Sequence, residues 1–200
     1  MGNTDKFDSV ANSYDNPERT RIAMVASDAI KEYLGDTRSK SAIDFGCGTG
    51  LVGMNLVNEF ESLLFMDTSE NMLDIVKRKI ADAGALNART LCFDFESSSQ
   101  PDLRADYIFM AQVLLHIQDY EAVLAKLHAV LNDEGHLLIV DFNKNDKVVS
   151  ELVHNGFDQE QLKALMLKIG FKDIRSKTIY SGTKLFRNQD ASLFIMDGKK

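Results

Sequence analysis

Three aspartates each close a short apolar run: Asp44 after "SAI", Asp67 in "LLFMD" and Asp94 in "TLCFD". A carboxylate at the end of a buried strand can do binding chemistry. Asp67, 23 residues beyond Asp44, is suited to both hydroxyls of a ribose. Asp94, with Phe95 next to it, offers a carboxylate and a ring to an adenine amine and face. Any one of these acids alone is more often a helix cap, as Asp67 beside Thr68-Ser69 illustrates. Three at the carboxyl ends of neighbouring strands form an acidic pocket, which suits a cationic ligand better than a pyrophosphate.

Asp44 also opens the most informative loop of the chain, Phe45-Gly46-Cys47-Gly48-Thr49-Gly50. Glycines allow positive φ and let backbone amides approach a ligand closely. The helix expected from Leu51 presents its N-terminus to an anionic group such as a carboxylate or phosphate. Gly48-Thr49-Gly50-Leu51-Val52-Gly53 matches the dinucleotide pattern G-x-G-x-x-G, but its first glycine falls three residues beyond Phe45 instead of opening the turn. In the frame that starts at Gly46, the third glycine position is Leu51.

The elements that must position these residues alternate in type. Apolar runs at Ala42–Phe45, Leu63–Met66, Thr90–Phe93, Tyr107–Met110 and Leu137–Val140 are continuous, as in strands buried on both faces. Asn16 caps a helix with Pro17 in its first turn and a stop at Gly35. Ser69 caps another, ending at Gly84. A third runs from Tyr120 to Leu131 and stops near Gly135, and Asp158 caps a last one ending at Gly170. The remaining tail reads as a hairpin. Strands alternating with helices predict an α/β, doubly wound, mostly parallel sheet with helices on both faces, whose ligands lie at the carboxyl ends of its strands.

Two hundred residues, 44% hydrophobic and 26% charged, describe one globular domain. The net charge of −7 disfavours nucleic acid, which selects a basic face. Lys77-Arg78-Lys79, the longest basic cluster, reads as a solvated helix face. No apolar run is long enough for a membrane span, and the first ten residues have neither signal-peptide nor myristoylation features. Cys47 and Cys92 have no paired spacing, so a zinc site and a disulfide scaffold are both disfavoured and a cytoplasmic location is expected.

The ordered motifs resemble those of class I S-adenosylmethionine-dependent methyltransferases of the small-molecule type. "AIDFGCGTG" is similar to that family's first motif, "FMDTSENML" to its acidic second and "LCFDFE" to its third. "ADYIFMAQVLLHIQD" and "LNDEGHLLIVDF" are similar to the strand-four and strand-five motifs. "FDSVANSYD" resembles an N-terminal cover, and "GFDQEQLKALMLKIGF" the late helix and sixth strand. The resemblance implies a Rossmann-like, seven-stranded sheet of order 3-2-1-4-5-7-6 with strand seven antiparallel. It divides the chain into a covering arm and helix (1–36), a cofactor-binding core (41–142), a substrate-side loop (143–157) and a last helix with hairpin (158–200).

Carried over by position, Asp44, Gly46, Cys47, Gly48 and Gly50 would line the methionine end of S-adenosylmethionine. Asp67 would hold the ribose hydroxyls, Met66 or Thr68 would flank the adenine, and Met72 would belong to the cofactor-binding set. Asp94 would face the adenine amine and Phe95 would supply a backbone amide. Gln112 would stand near the sulfonium. Tyr14 either contributes a cation–π contact of about 0.5–2 kcal/mol there or packs the arm together with Phe7. The implied reaction is in-line displacement onto a small-molecule acceptor, leaving S-adenosylhomocysteine. Alignment supplies much of its rate, with effective molarities of roughly 10⁵–10⁸ M for well-oriented groups, so no metal and no fixed catalytic constellation is expected. His116 and His154 are the candidates for acid–base or substrate contact, each with a structural alternative; His128 and His136 read as structural. Relatives often carry two adjacent histidines where this chain has Leu115-His116. The acceptor atom and the oligomeric state stay open. A non-catalytic S-adenosylmethionine-binding regulator and, through the out-of-frame glycines, a nicotinamide-dependent oxidoreductase are the alternatives.

Overall fold

A computed structural model describes residues 14–95 and 102–200. The expectations for Phe7 and the rest of the arm before Tyr14, and for most of the polar loop 97–102, lie outside the described residues.

Asn16 does cap the first helix, α1 (Pro17–Lys31): its Oδ1 accepts the Arg19 amide at 2.9 Å, with proline opening the turn. There follow β1 (Ser41–Phe45), the short α2 (Leu51–Leu56), β2 (Ser62–Asp67), α3 (Glu70–Ala83) and β3 (Ala88–Cys92). The second half comprises β4 (Ala105–Ala111), α4 (Tyr120–Val130), β5 (Leu131–Phe142), α5 (Gln159–Ile169), β6 (Lys172–Phe186) and β7 (Gln189–Lys199). Ser69 and Asp158 accept from the Met72 and Gln161 amides as helix caps.

One sheet orders the strands β3-β2-β1-β4-β5-β7-β6. β7 runs antiparallel between β5 and β6, and the pairings among β1 to β5 are parallel. This is the implied order. The apolar strands produce two cores, one on each face of the sheet. Leu124 and Leu127 of α4 and Leu162 and Met166 of α5 pack on one face; Ala26 and Ile30 of α1, Leu56 of α2 and Val76 of α3 pack on the other. The direction of winding reverses between β1 and β4, so the ends of those two strands splay apart and open a crevice.

Two helix ends differ from expectation. α1 stops at Lys31, four residues before Gly35, because the chain must drop into β1; Tyr33 and Leu34 close it with backbone bonds to Ile30 and Lys31 and pack on the core. α4 stops at Val130, since Leu131 turns extended and pairs with Ala105 of β4. His136 is structural as expected: its Nδ1 lies 2.8 Å from the buried Asp197, which also pairs with Arg175, so one carboxylate ties β5, β7 and β6 together.

Candidate functional site

The crevice holds a cavity of about 630 Å³ at the carboxyl ends of the strands, within the range of roughly 300–1,000 Å³ typical of small-molecule sites. Gly46 follows Phe45 directly and opens the turn with φ 67°, and Gly48 and Gly50 continue it at 53° and 78°. The amides of Gly46 and Cys47 both donate to the Met66 carbonyl, at 2.8 and 3.0 Å, hooking the loop onto β2. A side chain at Gly46 would run into Val113, 2.6 Å away, so the loops after β1 and β4 interlock there. At Gly48, among the described residues, an added Cβ would meet only the Tyr14 ring, at 3.9 Å, so the backbone there can be approached closely. Gly53 lies inside α2, packed against Asp44 and Phe65. The out-of-frame glycines therefore do not form a phosphate-binding turn.

Asp67 lines the cavity and is the junction between the two motifs. Its Oδ2 accepts the Gly48 amide at 2.8 Å and its Oδ1 the Ser69 amide at 2.9 Å, which fixes the carboxylate at the mouth of the glycine loop. Thr68, Met72, Asp94 and Phe95 line the same wall. Phe95 is held edge-on by Phe45 and Phe93, and its carbonyl accepts from the Lys126 ammonium. Gln112 lines the cavity with φ 55°, a left-handed conformation uncommon outside glycine, while its amide donates to the Val140 carbonyl at 2.7 Å. Cys47 also lines it; burial pushes its thiol well above the usual range, so it is neutral. Tyr14 covers the glycine loop with Arg19 stacked 4.0 Å from its ring centre, and its hydroxyl is raised chiefly by burial.

Three expected site residues stand elsewhere. Asp44 is buried beneath the loop and does not line the cavity. Its Oδ2 accepts the Gly53 amide at 3.0 Å, and desolvation pushes its carboxyl up to about 8 against that hydrogen bond. It thus supports the start of α2. Gly50 caps α2 from outside the cavity wall, against Val76 and Phe65. His154 does not line the cavity either: its amide donates to Leu115 at 2.9 Å and its Nε2 to the Ile117 carbonyl at 2.8 Å, with Tyr120 edge-on. It clamps the turn that carries His116. His116 does line the cavity, whereas the 143–157 segment contributes only Val153 to the wall.

Other contributors were not anticipated. Asp141, buried at the end of β5, accepts the Leu115 and Phe142 amides at 3.2 and 2.8 Å and holds the His116 turn from beneath. Its carboxyl is pushed up to about 7 by burial. Asp15 accepts from Thr49 Oγ1 at 2.5 Å and Lys79 Nζ at 2.7 Å, and Lys79 also reaches the Thr49 carbonyl at 2.9 Å. This strap fastens the segment before α1 to the glycine loop, so Lys79 is not part of a solvated face. Its position three residues after buried Val76 was the available signal. The β6–β7 tip, Lys184 to Arg187, also lines the cavity.

The two buried acids predict a pH dependence. The native state keeps their protons up to about 7 and 8, while the unfolded chain releases them near 4. The native state therefore binds more protons in that window, and stability falls as pH rises through it, by up to about 1.4 kcal/mol per unit per group. Asp44→Asn removes one such contribution. Its melting temperature relative to the parent should climb steadily from pH 5 to pH 8; a constant difference would contradict the assignment.

Comparison with known proteins places these features in a context. The family described as a methyltransferase domain matches residues 18–176. The ubiquinone biosynthesis O-methyltransferase of Coxiella burnetii is 28% identical over 110 residues, covering 55% of this chain and 47% of that protein. The chain thus spans about half the length of that curated relative. The ubiquinone/menaquinone biosynthesis C-methyltransferase UbiE of Azotobacter vinelandii is 25% identical over 185 residues, covering 76% and 73%. Among solved structures, a SAM-dependent methyltransferase from Aquifex aeolicus superposes with a TM-score of 0.74, covering 96% of this chain and 97% of its own, at 17% identity; that likeness is one of fold.

Proposed function

The chain belongs to the methyltransferase-domain family, and we propose that it binds S-adenosylmethionine and transfers its methyl group to a small-molecule acceptor. The observation that carries this reading is one continuous cavity whose wall runs from Asp94 and Asp67, past the glycine loop, to Gln112 and His116. The residues fit the cofactor: a loop open at Gly48, with Asp67 anchored beside it by two amides. Gly46, Cys47 and Gly48 receive the methionine end, Asp67 the ribose hydroxyls, and Thr68, Met72, Asp94 and Phe95 the adenine. Tyr14 and Gln112 border the sulfonium. When bound, the cofactor supplies an already activated methyl group. The protein's part is alignment and exclusion of water, with Tyr14 fastened over the loop by the Asp15–Thr49–Lys79 strap.

The cavity volume supports a small acceptor, and the net charge of −7 argues against nucleic acid. Two free cysteines fit a reducing cytoplasm. Relatives that methylate oxygen and carbon leave the acceptor atom open.

Incubation with methyl-labelled S-adenosylmethionine and fractionated cell extract tests the reaction. Labelled product with matching S-adenosylhomocysteine is expected; binding without turnover would favour the regulatory alternative. His116→Ala should leave cofactor affinity unchanged and lower turnover roughly 10²-fold, the range of a lost acid–base or positioning contact. His154→Ala should cost about 1 kcal/mol of stability through its lost bond to Ile117, measurable by urea unfolding, and spare cofactor binding. Loss of cofactor affinity in His116→Ala would contradict its place on the acceptor side, and in His154→Ala its purely structural role.

A further inference from the structure

The acceptor side of the cavity carries a charge pattern that cofactor binding does not use. Beyond His116 its wall is apolar, with Ile22, Leu115 and Leu185 and the parallel rings of Phe142 and Phe186, whose centroids lie 4.2 Å apart with 4° between planes. A flat apolar molecule fits against such a wall. Lys184 and Arg187 line the same side, from the end of β6 and the turn into β7. Among the described residues, neither makes an ion pair with a carboxylate.

Both cations occupy costly backbone positions. Lys184 has φ 54° and Arg187 φ 48°, followed by Asn188 at 61°. Phe186 pairs with Gln189 across this two-residue turn, and positive φ at both central positions is what favours Asn-Gly there. A lysine and an arginine in left-handed conformations, presented to one cavity, point to use of their charge. Arg187 is further oriented by the bond from its Nη2 to Ser150 Oγ at 2.7 Å, and the Lys184 amide is tied to Asp190 Oδ1 at 3.0 Å. Arg19, also in the lining, is engaged by Tyr14, and the lining carboxylates are Glu18 and the two acids assigned to the cofactor, Asp67 and Asp94. In a chain of net charge −7, two cations separated by two residues thus stand in the lining of one cavity.

We propose that the methyl acceptor is a flat apolar molecule bearing a carboxylate or phosphate group, and that Lys184 and Arg187 bind that oxyanion. This inference rests on the methyltransferase reading. Charge-assisted hydrogen bonds from an ammonium and a guanidinium select an oxyanion over a neutral or cationic group.

The test uses the full chain saturated with S-adenosylhomocysteine and three probes of one body: 2-naphthoate, 2-naphthyl phosphate and 2-naphthylmethylammonium. At least one anion should bind about tenfold tighter than the ammonium or better, and the stronger of the two identifies the oxyanion class. The pair Lys184→Asn and Arg187→Asn keeps side chains that tolerate positive φ. It should bring the anions to within about threefold of the ammonium while leaving S-adenosylhomocysteine affinity unchanged. Equal or tighter binding of the ammonium, no binding of any probe, or an anion preference that survives the double substitution would overturn the inference. Absence of S-adenosylhomocysteine binding at the first step would instead overturn the methyltransferase reading, and this inference with it.

Discussion

Asp67→Ala is expected to weaken S-adenosylmethionine binding by at least about 10²-fold while the protein stays folded. Hydrogen bonds to a charged group contribute about 1.5–3 kcal/mol each, and a ribose offers two hydroxyls, so the loss amounts to about 3–6 kcal/mol. The same substitution removes the acceptor for the Gly48 and Ser69 amides, which hold the glycine loop against the start of α3. Asp67→Asn sharpens the result. Asparagine keeps the shape, but its amide nitrogen must face one of those two backbone donors, so affinity should fall nearly as far. Calorimetric titration with a parallel melting curve reads both effects. Unchanged affinity in a folded Asp67→Ala protein would break the ribose assignment.

The second large effect is one of packing. Gly53→Ala would place a methyl group 2.4 Å from both Asp44 Oδ2 and Phe65 Cε1. Neither neighbour can yield: Asp44 is 2% exposed and Phe65 fully buried, and the carboxyl is held by the Gly53 amide itself. Overpacking at such a site costs about 1–3 kcal/mol. Relief requires α2 to move away from the sheet, which drags the glycine loop with it. A lower urea midpoint and weakened cofactor binding are therefore expected together. Gly35→Ala is the control, since no described residue lies within 4 Å of an added Cβ there, and it should change stability by less than about 0.5 kcal/mol. Equal midpoints for the two variants would contradict the close approach of α2 to β1.

What is visible in the linear chain is what is written in local pattern. Continuous apolar runs announced β1, β2, β4 and β5, and Asn16, Ser69 and Asp158 announced three helix starts. The place of Asp67 at its strand end, just before the Ser69 cap, was also legible. What stayed hidden depends on contacts between distant segments. Asp44 looked like a ligand at its strand end, yet Gly53, nine residues on, turns its carboxyl into the core. Asp141 drew no notice in the sequence, because its role beneath the His116 turn comes from a residue 26 positions earlier. Lys79 was read with Lys77 and Arg78, but the helix turns it toward Asp15, 64 residues away. His154 was a candidate for acid–base or substrate contact with a structural alternative, and only the fold shows its ring spent on the Ile117 carbonyl. The tail was legible as a hairpin, but nothing in its local pattern placed the β6–β7 tip at the cavity, more than 70 residues beyond Gln112.

The most direct test of the central claim is calorimetric titration of the purified protein, freed of copurified cofactor, with S-adenosylmethionine, S-adenosylhomocysteine and NADH. Saturable binding of both adenosyl ligands in the micromolar range, with NADH silent, is the predicted result. Silence toward both adenosyl ligands from a protein that still melts cooperatively would contradict the assignment of Asp67, the glycine loop and the cavity they share.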